Sequence, residues 1–196
     1  MSALENSYEI VGELRGVDDL HAYLARRRTS AVDVMITVVP AAAAGENNAL
    51  SLFAADVSLL SGVSHSGVLE VFEGRWLTDG SYAEVTSRPR GVTLGERLAS
   101  SEQLENHQIA SLLRDVNATL RWARGIGVVH RGVSVDAMYV EPGTGRVEIA
   151  LLPTPIAAGG IPGEATDART LGDLAWTMFA GFDPDADVRG ESLSSV

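Results

Sequence analysis

The sequence predicts an α+β fold of two lobes, a strand-rich first half with one helix and a shortened, mainly helical second half. Three observations predict it. Short apolar runs separated by turn residues occupy the first 88 positions, an amphipathic stripe at helical spacing follows, and a hairpin of two short strands interrupts the helical half.

Tyr8-Glu9-Ile10-Val11 reads as a strand before a Gly12-Glu13 turn, and Leu20 to Leu24 as a second strand. Val32 to Val39 is rich in β-branched residues and stops at Pro40, which makes it the clearest strand of the chain. After Ala41 to Ala44 and Gly45, a helix is expected from about Asn48 to Ser61, with Leu52, Ala55, Leu59 and Leu60 on its apolar face and Gly62 closing it. Gly67 to Glu73 and Tyr82 to Thr86 flank Asp79-Gly80, a hairpin signal. Ile109, Leu112, Leu113, Val116 and Leu120 mark a helix from Asn106 to Ala123. Tyr139-Val140 and Val147 to Ile149 form a short hairpin turned by Pro142-Gly143-Thr144-Gly145. Leu171, Leu174, Ala175, Met178 and Phe179 repeat the helical spacing before Gly181.

At 196 residues, 45% of them hydrophobic, the chain has enough apolar material for a packed core. The net charge of −11 opposes non-specific nucleic-acid or anionic-membrane binding, so proteins are the expected partners. With no cysteine, disulfides, thiolate zinc sites and thiol nucleophiles are excluded. A cytoplasmic location is expected, either as a separate protein or as the cytosolic domain of a longer, membrane-anchored one. The start has neither a basic nor an apolar leader region, and the apolar tract Val34 to Ala44, broken by Thr37 and Pro40, is too short to span a bilayer.

Val128-Val129-His130-Arg131-Gly132, preceded by Ala123-Arg124-Gly125-Ile126, resembles the catalytic loop of the bacterial Hanks-type (eukaryotic-like) Ser/Thr protein kinases. The resemblance extends over nearly the whole chain. Tyr23 and Ala25 look like the second strand, and Leu59 to Leu69 the exit of helix C. Val85 matches the gatekeeper, Thr86 to Arg88 the hinge, and Thr166 to Gly172 the start of helix F. It implies a bilobal protein-kinase-like fold, with residues 1–88 as the N-lobe and 89–196 as a partial C-lobe ending after helix F.

It also implies a degenerate member of that family. The lysine on the third strand that grips the α and β phosphates is matched by Thr37, and the chain contains no lysine at all: its fifteen basic residues are arginines. Asp56 falls at the helix-C glutamate that pairs this lysine. Gly132 replaces the catalytic aspartate, Ala137 the metal-binding asparagine, and Leu151, in Leu151-Leu152-Pro153, the aspartate of the Asp-Phe-Gly motif. An aliphatic side chain supplies no oxygen for magnesium. The glycine-rich loop is matched by Arg15, Val17 and Leu20. Only Thr154 to Thr166 stand where an activation segment belongs. His130, Arg131 and Asp167 remain as structural remnants that support the loop.

No catalytic residue, metal or cofactor is therefore expected. The leading expectation is a pseudokinase acting as a protein-binding, regulatory scaffold in bacterial signalling or cell-envelope regulation. Arg26, Arg27 and Arg28 form the one basic cluster, read as a solvated turn with docking of a phosphorylated or acidic partner segment as the sharper option. Asp183 to Asp187 alternates acids but lacks the glycine and glutamate of a calcium loop. Two alternatives stay open: a metal-independent nucleotide or ligand sensor, in which Thr37 and Leu151-Leu152 line an apolar slot, and a divergent nucleotide-transferring enzyme relying on an arginine such as Arg15. The sequence leaves the oligomeric state open.

Overall fold

The computed structural model describes residues 4, 6–14, 20–44, 49–100, 104–128, 130, 134–150 and 164–180. Its first half is an antiparallel sheet of β1 (Tyr8–Leu14), β2 (His21–Arg27), β3 (Asp33–Val39), β4 (Val71–Trp76) and β5 (Tyr82–Ser87), ordered β1-β2-β3-β5-β4. Helix α1 (Ala49–Leu60) lies between β3 and β4 in sequence and packs on one face of the sheet. The β-branched run takes the central place in this sheet because both its faces are covered. Val34 and Ile36 join Tyr8, Ala25, Ala83 and Val85 in a core on the outer face, whereas Val39 joins Phe53 and Val57 of α1 in a second core that continues into the lower lobe.

The second half contains a small sheet, β6 (Val92–Thr93), β7 (Met138–Val140) and β8 (Val147–Ile149), and helices α2 (Leu94–Ala99), α3 (Asn106–Gly125) and α4 (Glu164–Ala180). The predicted stripe of α3 is buried at Ile109, Leu112, Val116 and Leu120, and α4 adds Leu174 and Met178 to the same core. No helix among the described residues is long and apolar enough to cross a membrane.

Local expectations needed correction where tertiary contacts outweighed sequence pattern. Gly12-Glu13 does not turn the chain; β1 runs to Leu14, with Val11 as a bulge between Ile10 and Gly12. Helix α1 buries Leu50, Phe53, Val57 and Leu60, while Leu52 and Leu59 face outward. Apolar residues lie almost all around this helix, so periodicity could not choose the face. Phe53 decides it by packing edge-on against Tyr82, 5.7 Å between ring centres. Residues 67–69 are not part of β4. Leu69 N–H donates to the Ile149 carbonyl (3.1 Å) and Ile149 N–H to the Gly67 carbonyl (2.9 Å), which commits this segment to the lower lobe.

The connection from β5 into the lower lobe is tight. A Cβ on Gly91 would lie 2.0 Å from the Val140 carbonyl oxygen, so only glycine lets the linker pass β7. Thr93 then starts α2 through a reciprocal capping box with Glu96, a local signal the sequence contains and the element assignment above omitted.

Candidate functional site: the inter-lobe cleft

Strand alternation decides which side chains reach the cleft. Thr37, half-buried on β3, lies between Ala22 of β2 and Glu84 of β5 in the ladder, and Met35 lies opposite Thr86. Met35, Thr37, Glu84 and Thr86 therefore share the face that carries Tyr82 and α1. Val85 points the other way, into the outer core, so the gatekeeper expected there is not at the cleft; Glu84 and Thr86 occupy that face instead. Thr86 also belongs to β5 rather than to the hinge, which begins after Ser87.

Glu84 is the residue that sequence reasoning missed. It is only 4% exposed, and burial pushes its carboxyl up to about 8. Among the described residues it forms no ion pair. A glutamate inside a β-branched strand pattern was the available signal, since alternation from Tyr82 already sends it inward. Asp56, on α1, is also buried, at 5% exposed. Two acids thus occupy the upper lobe on the cleft side.

The floor is held by backbone contacts. The 3-10 turn Val135–Ala137 leads into β7, and Ala137, buried, accepts a hydrogen bond from Ala150 N–H at 2.8 Å. His130 is 1% exposed, with Nε2 3.1 Å from the Ala150 carbonyl. Because a carbonyl only accepts, Nε2 carries the proton. His130 and Ala137 are in this way both fixed to Ala150.

Tyr139, next in β7, rises from the floor to the roof. Its hydroxyl donates to Met35 Sδ at 3.6 Å, a contact across the cleft between residues 104 positions apart. Burial, with the acids Glu96, Asp136 and Glu84 around it, pushes the phenol up to about 12. Beside this tyrosine is a cavity of 180 Å³ lined by Leu14, Leu24, Pro89, Val92, Glu96 and Asp136 among others. Pockets for drug-sized ligands occupy roughly 300–1,000 Å³. Thr37 does not line this cavity.

The remaining expected positions are dispersed. Arg131, Gly132, Leu151, Arg15 and Val17 lie outside the described residues, as does the acidic run Asp183 to Asp187. Leu20 is in the inner core, and Asp167 lies within α4. Arg26 and Arg27 are on β2 rather than on the connecting turn; Arg28 begins that turn. Arg26 Nε bonds Asp33 at 2.9 Å, and Arg88 reaches the other oxygen of Asp33 at 3.1 Å. These guanidinium contacts, that of Arg26 first, hold the Asp33 carboxyl below its ordinary value. Arg27 donates to the Tyr8 hydroxyl and lies 5.1 Å from the Phe72 ring centre.

The architecture matches solved structures. The kinase domain of Mycobacterium tuberculosis PknI superimposes with a TM-score of 0.78 at 20% identity, over 91% of this chain and 76% of that one. The chain has the protein-kinase fold. Rad53 in complex with AMP-PNP gives a TM-score of 0.75 at 15% identity, over 92% of this chain and 50% of that one. No protein-family model and no curated protein matches the sequence. What is shared at these identities is the protein-kinase fold, and the cleft described above is the space between its two lobes.

Proposed function

We propose that this protein-kinase-like domain is a pseudokinase: it transfers no phosphoryl group and acts as a protein-binding, regulatory platform in bacterial signalling or cell-envelope regulation. The observation that carries the reading is the pairing of Glu84 with Thr37. Phosphoryl transfer rests on positioning and on neutralising phosphate charge. Thr37, which the resemblance matches to the phosphate-gripping lysine, offers a hydroxyl, and the buried Glu84 stands beside it in the ladder. A triphosphate placed there would meet no neutralising cation from this pair, and ionising Glu84 beside it would add a like charge in a site of low dielectric.

The Tyr139–Met35 contact at 3.6 Å ties floor to roof, and a flat base entering between them would have to break it. The same contact weighs against metal-independent nucleotide sensing. Among the described residues lining the cavity Arg88 is the one arginine, and Asp33 engages it; Arg15, on which the transferase reading relies, lies outside the described residues. Protein partners, including a phosphorylated or acidic segment at Arg26 to Arg28, remain the favoured class.

Isothermal titration with ATP and ADP, each with and without magnesium, together with transfer of labelled phosphate to the chain itself and to a generic protein substrate, tests this reading. Neither binding nor label above buffer is expected. Saturable Mg-ATP binding or incorporation of label into either target would refute it.

A further inference from the structure

We propose that the closed end of the cleft, where Glu84, Thr86 and Tyr139 converge, binds a small organic cation: a primary amine on an apolar body. The inference rests on the pseudokinase reading, since it assigns the same cleft a ligand of opposite charge.

Three polar groups converge there without full partners. Thr86 is 2% exposed and its Oγ1 has no hydrogen-bond partner among the described residues. Among the described residues the Glu84 carboxyl, 4% exposed, forms no ion pair, and the Tyr139 hydroxyl meets a thioether sulfur, a weak acceptor. Buried polar atoms are nearly always satisfied, so the unpartnered Thr86 Oγ1, on the same face of β5 as the buried Glu84, points to something that completes it. What the cluster lacks is specific. A carboxylate, hydroxyl oxygens and a sulfur all accept, and an ammonium group supplies three donors and a positive charge. The rings of Tyr82 and Tyr139 favour a cation as well.

A metal ion fits less well, because no group of three acidic or histidine side chains among the described residues can hold one. The route in is the cavity beside Tyr139. Its walls, Leu14, Leu24 and Val92, suit an apolar body, and its polar rim has Glu96 and Asp136, whereas the charge of Arg88 is matched by Asp33. Glu84 and Thr86 do not line this cavity, so the ligand has to displace the side chain of Tyr139, which does line it, to reach them.

The titratable groups around Glu84 are Tyr82 on its own strand and Tyr139 from β7, with Glu96 and Asp136 beyond it; α1, packed on the same face, contributes the buried Asp56. None of these is a cation. With its carboxyl pushed up to about 8, Glu84 holds a proton at pH 7, and an arriving ammonium displaces it.

The test is calorimetric titration of the whole chain with phenethylamine at pH 7, in two buffers of different ionisation enthalpy. Saturable binding with release of about one proton is expected. 2-Phenylethanol, of similar shape but uncharged, should bind at least about tenfold more weakly, and Glu84→Gln should lose about tenfold or more together with the proton release. Absence of phenethylamine binding, equal affinity for the alcohol, or unchanged affinity in a folded Glu84→Gln overturns the proposal. If Glu84→Gln does not fold, proton release in the parent chain decides alone: none overturns it. Mg-ATP titrated in parallel keeps the two readings apart, since ATP binding counts against the pseudokinase reading, whereas silence from both ligands counts only against the amine site.

Discussion

Glu84 and Thr37 face each other directly across the β3–β5 ladder, the first buried and the second half-buried. This pairing leaves out the positive charge that phosphate chemistry needs, and it makes one carboxyl sensitive to solvent pH through the fold itself. A buried acid without a cation stays protonated well above its ordinary range, because ionising it in an apolar surrounding costs several kcal/mol.

Stability should therefore fall as pH rises. The carboxyl of Glu84 goes from 4.5 in the unfolded chain to about 8 in the folded one, so between these values the folded state holds more protons than the unfolded state. The contribution is complete below about pH 4.5, is lost progressively up to about pH 8 and then levels. Urea midpoints measured from pH 5.5 to 8.5 should decline in the parent chain and stay flatter in Glu84→Gln. At pH 8 the variant should be the more stable by on the order of 3 kcal/mol. A parent chain with no decline contradicts this account of Glu84.

Tyr139 should matter for its ring far more than for its hydroxyl. The hydroxyl meets only a sulfur, so Tyr139→Phe should cost less than about 1 kcal/mol. Tyr139→Ala empties the space between floor and roof and should cost roughly 2–4 kcal/mol. Denaturant titration of both variants gives the ratio; equal losses would mean that the ring is not what fills the cleft.

Gly91→Ala should be among the most damaging single methyl additions in the chain. The added Cβ would lie 2.0 Å from a backbone oxygen of Val140, which cannot rotate away as a side chain can. A loss of about 3 kcal/mol is expected, seen as a lower thermal midpoint. A change below about 0.5 kcal/mol would show that the linker does not hug β7.

Ala31→Gly should act in the opposite direction. Ala31 takes φ +53° in the turn between β2 and β3, a region where a side chain clashes with its own carbonyl and glycine does not. A gain of roughly 0.5–1 kcal/mol is expected in equilibrium unfolding, and a loss would place that turn in another conformation.

The fold was readable from sequence because its main signals are local and strong. Val32 to Val39, Asp79-Gly80 and the stripe from Ile109 to Leu120 each specify their element almost independently of the rest of the chain. Side-chain direction was harder. Leu52 and Leu59 form as good a stripe on α1 as Leu50, Phe53, Val57 and Leu60, and the choice rests on the ring of Tyr82, far away in sequence. Val85, expected at the cleft, faces the outer core for the same reason, since a shift of one position along a strand exchanges the faces of the sheet. The resemblance singled out Thr37, Asp56, His130 and Ala137, but Glu84 and Tyr139 were passed over. Their importance comes from what lies across a ladder or a cleft, which no local window contains.

Under the proposed docking of a phosphorylated or acidic segment, the carboxylate of Asp33, held between Arg26 and Arg88, is the internal rival of the incoming anion. An incoming acidic side chain offers the same single charge and would merely trade places with it. A phosphoserine brings nearly two charges and three acceptor oxygens, so the exchange favours phosphate over carboxylate. Titrating matched phosphorylated and glutamate-bearing peptides against the parent chain and Asp33→Asn measures that selectivity: the internal rival sets it, and its removal should narrow the gap.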